Sequence, residues 1–249
     1  MKLKTLDAAM IGVDAALYAV VGILTNLGIV APVVGVVRFW PAVVVPGVFA
    51  VLFGPLGGGI GAAIGIFISD MVYPGHGNAL LSLTVGLPSN FAGFYLIGYI
   101  SRKNLNWRKT TLGLAAGCVI AGLITYLMIG SLIPIDVALM FIGVFIGSYL
   151  LIIIVGYRLP EWRSYEVASV IGLGVGSAII GFGLWAYSQF LVLPLSFADW
   201  ARNAPFYASF IWFVWTFSTE IPFLITIVPP ILKACYRAFP SLMPVKQSR

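Results

Sequence analysis

Charged residues border or interrupt long apolar stretches of this sequence, where an ionised side chain is costly and marks a candidate functional site. Glu220 is the deepest of them, about 20 Å along the last apolar run at about 1.5 Å per residue. Trp212, Thr216 and Glu220 are spaced at i, i+4 and i+8 and therefore share one helix face. An indole, a hydroxyl and a carboxylate on one face could hold an aromatic or cationic ligand. The alternative is a hydrogen bond from Glu220 that locks the last helix.

Other polar residues in the apolar runs have two interpretations each. Arg38 offers a planar fork of donors for a carboxylate or phosphate. Asp70 lies at the end of a predicted helix. Its interpretations are a ligand contact, an ion pair with Arg38 and a solvated helix terminus. Asn90 follows the helix-disrupting Pro88 and either hydrogen-bonds a ligand or joins two helices. Asp14 lies about two turns into the first run, as an interface residue paired with a lysine or as a functional group.

The single histidine, His76, lies in the turn-rich segment Tyr73-Pro-Gly-His-Gly-Asn78, as a plain loop residue or as a ligand contact. One histidine does not build a metal site, and no Cys/His cluster accompanies it, so we predict no metal or cofactor. Tryptophan rings offer stacking surface for a ring-bearing ligand. The predicted binding residues are Arg38, Trp40, Asp70, His76, Asn78 and Asn90, with Trp212, Trp215 and Glu220 on the far wall.

Composition indicates a protein that is surrounded by membrane lipid. Hydrophobic residues make up 61% of the chain and charged residues 9%, against about 25% charged residues in soluble domains. The net charge of +6 comes from Lys and Arg near the ends of apolar runs, so it does not indicate a nucleic-acid partner. No phosphate-binding loop and no nucleophile elbow occurs, which argues against an ATPase and against an enzyme. A membrane enzyme using Glu220 and Asp14 is the least favoured reading.

A membrane-spanning helix needs about 20 apolar residues. The chain has eight candidate spans, so we predict an all-α, polytopic helical bundle forming a single membrane domain over residues 1–249. The second and third spans are short and are hinged at Gly54-Pro55, with Gly57, Gly61 and Gly65 as packing positions. The predicted bounds are 7–29, 38–54, 57–72, 80–101, 110–132, 135–157, 166–191 and 206–234.

Basic residues predict the orientation of these spans. With eight spans, every cluster of Lys and Arg falls on the same side of the membrane, which the positive-inside rule assigns to the cytoplasm. Both termini are then cytoplasmic, as expected for a multi-pass protein of the cell membrane. The clusters are Lys2 and Lys4, then Arg102, Lys103, Arg108 and Lys109, then Arg158 and Arg163, and finally Lys233, Arg237, Lys246 and Arg249.

Several short motifs over roughly residues 7–109 resemble one protein family. In order they are Phe39-Trp-Pro41, Pro46, Phe53-Gly-Pro-Leu-Gly57, Gly61, Asp70, Pro88-x-Asn90 and Gly98-Tyr-Ile-Ser-Arg-Lys103. This order resembles the substrate-binding S components of energy-coupling factor (ECF) transporters. The Phe-Gly-Pro-x-x-Gly motif between two short spans is its most specific part.

The resemblance implies a function and a set of partners. An S component captures a vitamin-like micronutrient from outside and works with a separate transmembrane coupling protein and ATPase subunits. Its first helix contacts the coupling protein through an Ala-x-x-x-Ala pattern, which Ala15 and Ala19 match here. The eight predicted spans exceed the family's six, so two helices follow the shared half. The N-terminal histidine of nickel- and cobalt-specific relatives is missing, which disfavours those ions as substrates.

The sequence therefore favours a non-catalytic uptake subunit for a small organic micronutrient. An alternative of a different class is a membrane ligand sensor or assembly subunit of the same fold that does not transport. The identity of the ligand stays open.

Overall fold

The computed structural model describes residues 5–28, 33–34, 37–72, 78–127, 129–130, 133–194 and 200–242. These residues form an all-α bundle of eight helices, as predicted, with one short β-hairpin of strands β1 (Val33–Val34) and β2 (Val37–Arg38). The helices are α1 (Thr5–Gly28), α2 (Val44–Phe53), α3 (Pro55–Val72), α4 (Ala79–Ile100), α5 (Trp107–Leu127), α6 (Ile135–Arg158), α7 (Arg163–Phe190) and α8 (Tyr207–Ala238).

Seven of the eight helices are long and apolar enough to span a membrane, so the chain is a multi-pass membrane protein. The predicted second span, 38–54, is wrong in length. Its first residue belongs to β2, a 3₁₀ turn covers Pro41–Val43, and α2 has only 10 residues. Pro46 explains the late start, because proline is tolerated in the first turn of a helix, where its missing N–H would be unpaired anyway. Helices α1, α3, α4 and α8 all contact α2, so it is enclosed by protein.

The predicted hinge at Gly54-Pro55 is confirmed. Gly54 separates α2 from α3 with φ +97° and ψ 176°, a conformation that is essentially restricted to glycine. The Arg102 guanidinium closes the end of α2, where Nη2 donates to the carbonyls of Val51 at 3.1 Å and Leu52 at 3.4 Å. These carbonyls would otherwise lack partners at a helix C-terminus. Partial burial lowers the pKa of the Arg102 guanidinium.

Glycines on α3 let three helices approach its backbone, as the sequence predicted. A Cβ added at Gly58 would clash with Ala50 of α2, and one added at Gly61 would clash with Asp14 of α1. One added at Gly65 would lie 2.8 Å from the carbonyl oxygen of Ala15. Helix α4 approaches on another side, with the Phe91 carbonyl oxygen 3.1 Å from a Cβ added at Gly59. Helix α3 is therefore the close-packed centre of the N-terminal half.

This packing corrects the prediction for the first helix. Ala15 and Ala19, expected to face a coupling protein, are 3% and 4% exposed and lie inside the bundle. The physical reason is that small side chains permit close approach to any helix, and here the neighbouring helix is α3. The exposed side of α1 carries Leu17, Val20 and Leu24 instead. Neither alanine presents a docking face in this conformation.

The remaining helices form two groups. Helix α4 packs against α3 and α7, and α7 packs against α8, which continues the central bundle. Helices α5 and α6 form a hairpin at its edge. Thr125 is the one buried residue of α5, whose whole length is described. The bundle that surrounds the site described below is therefore built without α5.

Basic residues gather at one end of the bundle, which we call the basic end. Ser164 Oγ donates to the carbonyl of Lys103 at 2.8 Å, and the Arg163 guanidinium lies 4.9 Å from the Trp107 ring centroid. The loops after α4 and α6 are thus on the same side, as the predicted topology requires. Its assignment to the cytoplasm stays a prediction. Lys2, Lys4, Lys246 and Arg249 lie outside the described residues.

We expect Gly54→Ala to lower the free energy of unfolding by about 1–3 kcal/mol, because alanine is strained at this φ and ψ. The measurement is reversible unfolding in mixed micelles. Gly113→Ala is the matched control: Gly113 is helical, and an added Cβ meets nothing within 4 Å. Equal stability of the two variants would show that the hinge conformation is not needed.

Candidate functional site

A cavity of about 120 Å³ lies in the interior of the bundle, toward the end opposite the basic end. Its walls come from α1, α3, α4, α7 and α8, with Arg38 from β2 and Trp40 from the segment between β2 and α2. Aliphatic and aromatic side chains cover most of it. The described polar residues that line it are Tyr18, Arg38, Asp70, Asn78, Ser82, Ser89, Asn90, Ser177, Thr216 and Glu220.

The structure brings together most of the residues predicted to bind a ligand. Six of the nine are among the lining residues: Arg38, Trp40, Asp70, Asn78, Asn90 and Glu220.

The predicted tryptophan wall is not part of this cavity. Trp212 is fully buried one turn beyond Thr216 and packs edge-on against Trp200 at 5.9 Å between ring centroids. Trp215 packs against the same apolar cluster and is not among the described lining residues. Sequence spacing placed Trp212 and Glu220 on one face correctly, but the indole fills space behind the cavity. His76 lies outside the described residues.

An ion pair between Arg38 and Asp70 joins β2 to the end of α3. Arg38 Nη2 donates to Asp70 Oδ1, and the two side chains are 6% and 15% exposed. Ser82 Oγ on α4 donates to Asp70 Oδ2 at 2.7 Å, and the Arg38 guanidinium lies 4.4 Å from the Trp40 ring centroid. Of the interpretations open for Asp70, pairing with Arg38 is confirmed. The charge of Arg38 is therefore balanced within the protein.

A chain of hydrogen bonds crosses the cavity wall and joins α1 to α4. Trp40 Nε1 donates to the Tyr18 hydroxyl at 2.8 Å, and that hydroxyl donates to Asn90 Oδ1 at 2.8 Å. Asn90 Nδ2 in turn donates to the carbonyl of Gly86 at 2.9 Å. Asn90 thus joins two helices, which was one of its two predicted roles. The sequence analysis missed Tyr18, although a tyrosine between Ala15 and Ala19 needs a partner for its hydroxyl when buried.

Helix α4 changes pitch where it lines the cavity. Residues Ser82–Gly86 form a π turn, with Leu87 N donating to the carbonyl of Ser82. Pro88 follows, and because it has no N–H the carbonyl four residues earlier cannot be paired in the usual way. Single π turns inside α-helices frequently occur at functional sites. Here the turn brings Ser82, Val85 and Gly86 to the cavity surface.

Asn78 closes one side of the cavity at the start of α4. Its Oδ1 accepts from the backbone N–H of Leu81 at 3.0 Å, which caps the helix. Its Nδ2 donates to the Tyr187 hydroxyl on α7 at 3.0 Å. The N-terminus of α4 is therefore held against α7.

Two further buried carboxylates lie away from the cavity. Asp14 is fully buried against Gly61, and it has no hydrogen-bond or ion-pair partner among the described residues. It does not occupy the interface position that one interpretation gave it. Glu166 near the start of α7 is also fully buried without a partner in the described part of the chain. The sequence analysis missed it because it stands at the edge of a predicted span.

A double-mutant cycle tests the Arg38–Asp70 pair. We expect Arg38→Gln and Asp70→Asn each to lower the free energy of unfolding by about 3–5 kcal/mol, since each leaves a buried charge without its partner. The double variant should lose about 1–3 kcal/mol less than the sum. Unfolding in mixed micelles measures all four proteins. Additive losses would mean that the pair is not coupled.

Comparisons with protein-family models, with curated proteins and with solved structures give no significant match. The fold and the cavity are therefore interpreted from their own geometry. The geometry combines a bundle of membrane-spanning length, a partly polar cavity beside an ion pair, and a hinged pair of helices.

Proposed function

We propose that this protein is a substrate-binding subunit for the uptake of a small organic micronutrient across the cell membrane. In this proposal it has no catalytic activity of its own and works with a separate transmembrane coupling protein and ATPase subunits. The observation that carries the proposal is the cavity in the middle of the bundle, which combines aromatic walls with polar groups from five helices.

The composition of the cavity supports a binding role. Protein interiors normally pack to the density of organic crystals, and voids larger than a water molecule are few. Polar and ionisable groups at membrane depth are rare and mark ligand or ion pathways. A cavity that gathers Glu220, Thr216 and Ser177 at this depth combines both features. Pockets with apolar walls and a few converging polar groups are typical of small-molecule sites.

The resemblance to ECF S components supports the same reading. The residues that carry this resemblance line the cavity from the N-terminal half of the chain or support the helices that do so. Phe53-Gly-Pro-Leu-Gly57 forms the hinge, Trp40 and Asn90 line the cavity, and Arg102 closes the end of α2.

A coupling protein and ATPases complete the proposed transporter, because the chain contains no nucleotide-binding loop. The docking surface cannot be the one that Ala15 and Ala19 were expected to form, since both are covered by α3. An Ala15→Trp variant would disrupt the contact between α1 and α3 and would therefore not isolate a docking defect.

Filling the cavity tests the proposal. Ser177 lines the cavity from α7, and we expect Ser177→Phe to remove any small molecule that co-purifies with the wild-type protein. Native mass spectrometry of gently purified protein is the measurement. Ser148→Phe is the matched control, since Ser148 lines a separate groove beside α5 and α6. It should retain the co-purified molecule.

Wild-type protein that carries no small molecule, or a Ser177→Phe variant that still carries it, would contradict a binding role for this cavity. Circular dichroism and thermal unfolding in detergent show whether Ser177→Phe is folded, so that loss of ligand is not confused with loss of structure.

Transport separates the proposal from the sensor or assembly-subunit alternative. Uptake into cells should require co-expression of this protein with a coupling protein and ATPases, and Ser177→Phe should abolish it. A ligand that binds in the cavity without such uptake would favour the non-transporting alternative.

A further inference from the structure

The charge of the ligand can be inferred from Glu220, an inference that rests on the proposed binding function. Glu220 lies on α8 and lines the cavity, although the residue as a whole is only 7% exposed. In the described part of the chain its carboxylate has no hydrogen-bond or ion-pair partner. An uncompensated carboxylate inside a membrane protein is costly. A group that enters the cavity can supply the missing partner.

The other charges of the cavity cancel each other. Among the described lining residues, the acidic and basic side chains are those of Arg38, Asp70 and Glu220. Arg38 and Asp70 form an ion pair, and Asp70 also accepts from Ser82. With Glu220 ionised, the described wall carries one excess negative charge, and its one guanidinium is already paired with a carboxylate.

Most neutral polar side chains near Glu220 already have hydrogen-bond partners. Thr216 Oγ1, one turn before it on the same helix face, donates to the carbonyl of Trp212 at 2.8 Å. The Tyr18 hydroxyl donates to Asn90 and accepts from Trp40, so both of its roles are used. Ser177 on α7 has a buried hydroxyl without a partner among the described residues. The wall therefore offers a carboxylate acceptor and a hydroxyl, and neither has a hydrogen-bond partner among the described residues.

The rest of the cavity wall suits a compact ligand that contains a ring. Tyr18 lies edge-on to Trp40 and to Phe94, with ring centroids 6.0 and 6.1 Å apart, and all three rings line the cavity. Ile97 and Leu173 add aliphatic surface. Aromatic walls accommodate a ring by stacking or edge contacts and also favour a nearby cation.

We propose that the ligand is a small organic cation with at least one N–H donor, an amine or a protonated nitrogen heterocycle, whose charged nitrogen pairs with Glu220. The Arg38–Asp70 pair disfavours an anionic ligand, since the charge of Arg38 is already balanced by Asp70. Binding in this position gives the Glu220 carboxylate the charge-assisted hydrogen bond that the described residues do not provide.

Three matched one-ring probes test the charge: benzylammonium, benzyl alcohol and benzoate. We expect benzylammonium to bind purified wild-type protein about 10–100-fold more tightly than the other two, the range that a hydrogen bond to a charged group gives. Isothermal titration calorimetry on full-length protein in nanodiscs is the measurement. Glu220→Gln should remove the preference, and Glu220→Asp should keep part of it.

Glu166→Gln is the matched control, because Glu166 is also a buried carboxylate and lies outside the cavity. It should keep the wild-type preference. Equal binding of the three probes to wild-type protein, or a preference that survives Glu220→Gln, would overturn the inference. A co-purified ligand that proves neutral or anionic would also overturn it while leaving the proposed binding function intact. The absence of any co-purified molecule would contradict the binding function itself.

Discussion

The ion pair between Arg38 and Asp70 determines the chemical character of the cavity. A buried arginine without a partner would make this a site for anions, and the fork of its guanidinium is suited to carboxylates and phosphates. Because Asp70 pairs with this guanidinium and Ser82 donates to Asp70, the positive charge of Arg38 is balanced inside the protein. The same pair joins β2, α3 and the π turn of α4 at one place. The Glu220 carboxylate is then the acidic group of the cavity that has no partner among the described residues.

The supporting elements all serve to place these groups at membrane depth. The turn at Gly54 ends α2 after 10 residues, and Trp40, before the start of α2, donates to Tyr18 of α1. Glycines along α3 allow α1 and α2 to approach its backbone. The π turn before Pro88 turns the surface of α4 toward Asp70. The turn at Gly54 and the π turn of α4 depart from regular helix geometry, and the π turn itself lies at the cavity surface.

Sequence patterns predicted the helices well because apolar runs of about 20 residues are strongly determined by the bilayer. The hinge was predictable from Gly54-Pro55, and the burial of Glu220 from its depth in the last run. Contacts between side chains that are distant in the sequence were harder to predict. Nothing local in the sequence shows that Arg38 meets Asp70 and not a ligand, or that Tyr18 joins Trp40 to Asn90. The small residues Ala15 and Ala19 gave the wrong prediction because close packing looks the same whether the neighbouring helix is internal or belongs to a partner.

An experimental density map of the wild-type protein with its co-purified ligand tests the central claim most directly. We predict ligand density in the cavity with a nitrogen at hydrogen-bond distance, about 2.7–2.9 Å, from the Glu220 carboxylate. The Arg38–Asp70 pair should be intact in the same map. Ligand density with an anionic group on Arg38, an opened Arg38–Asp70 pair and no contact to Glu220 would contradict it.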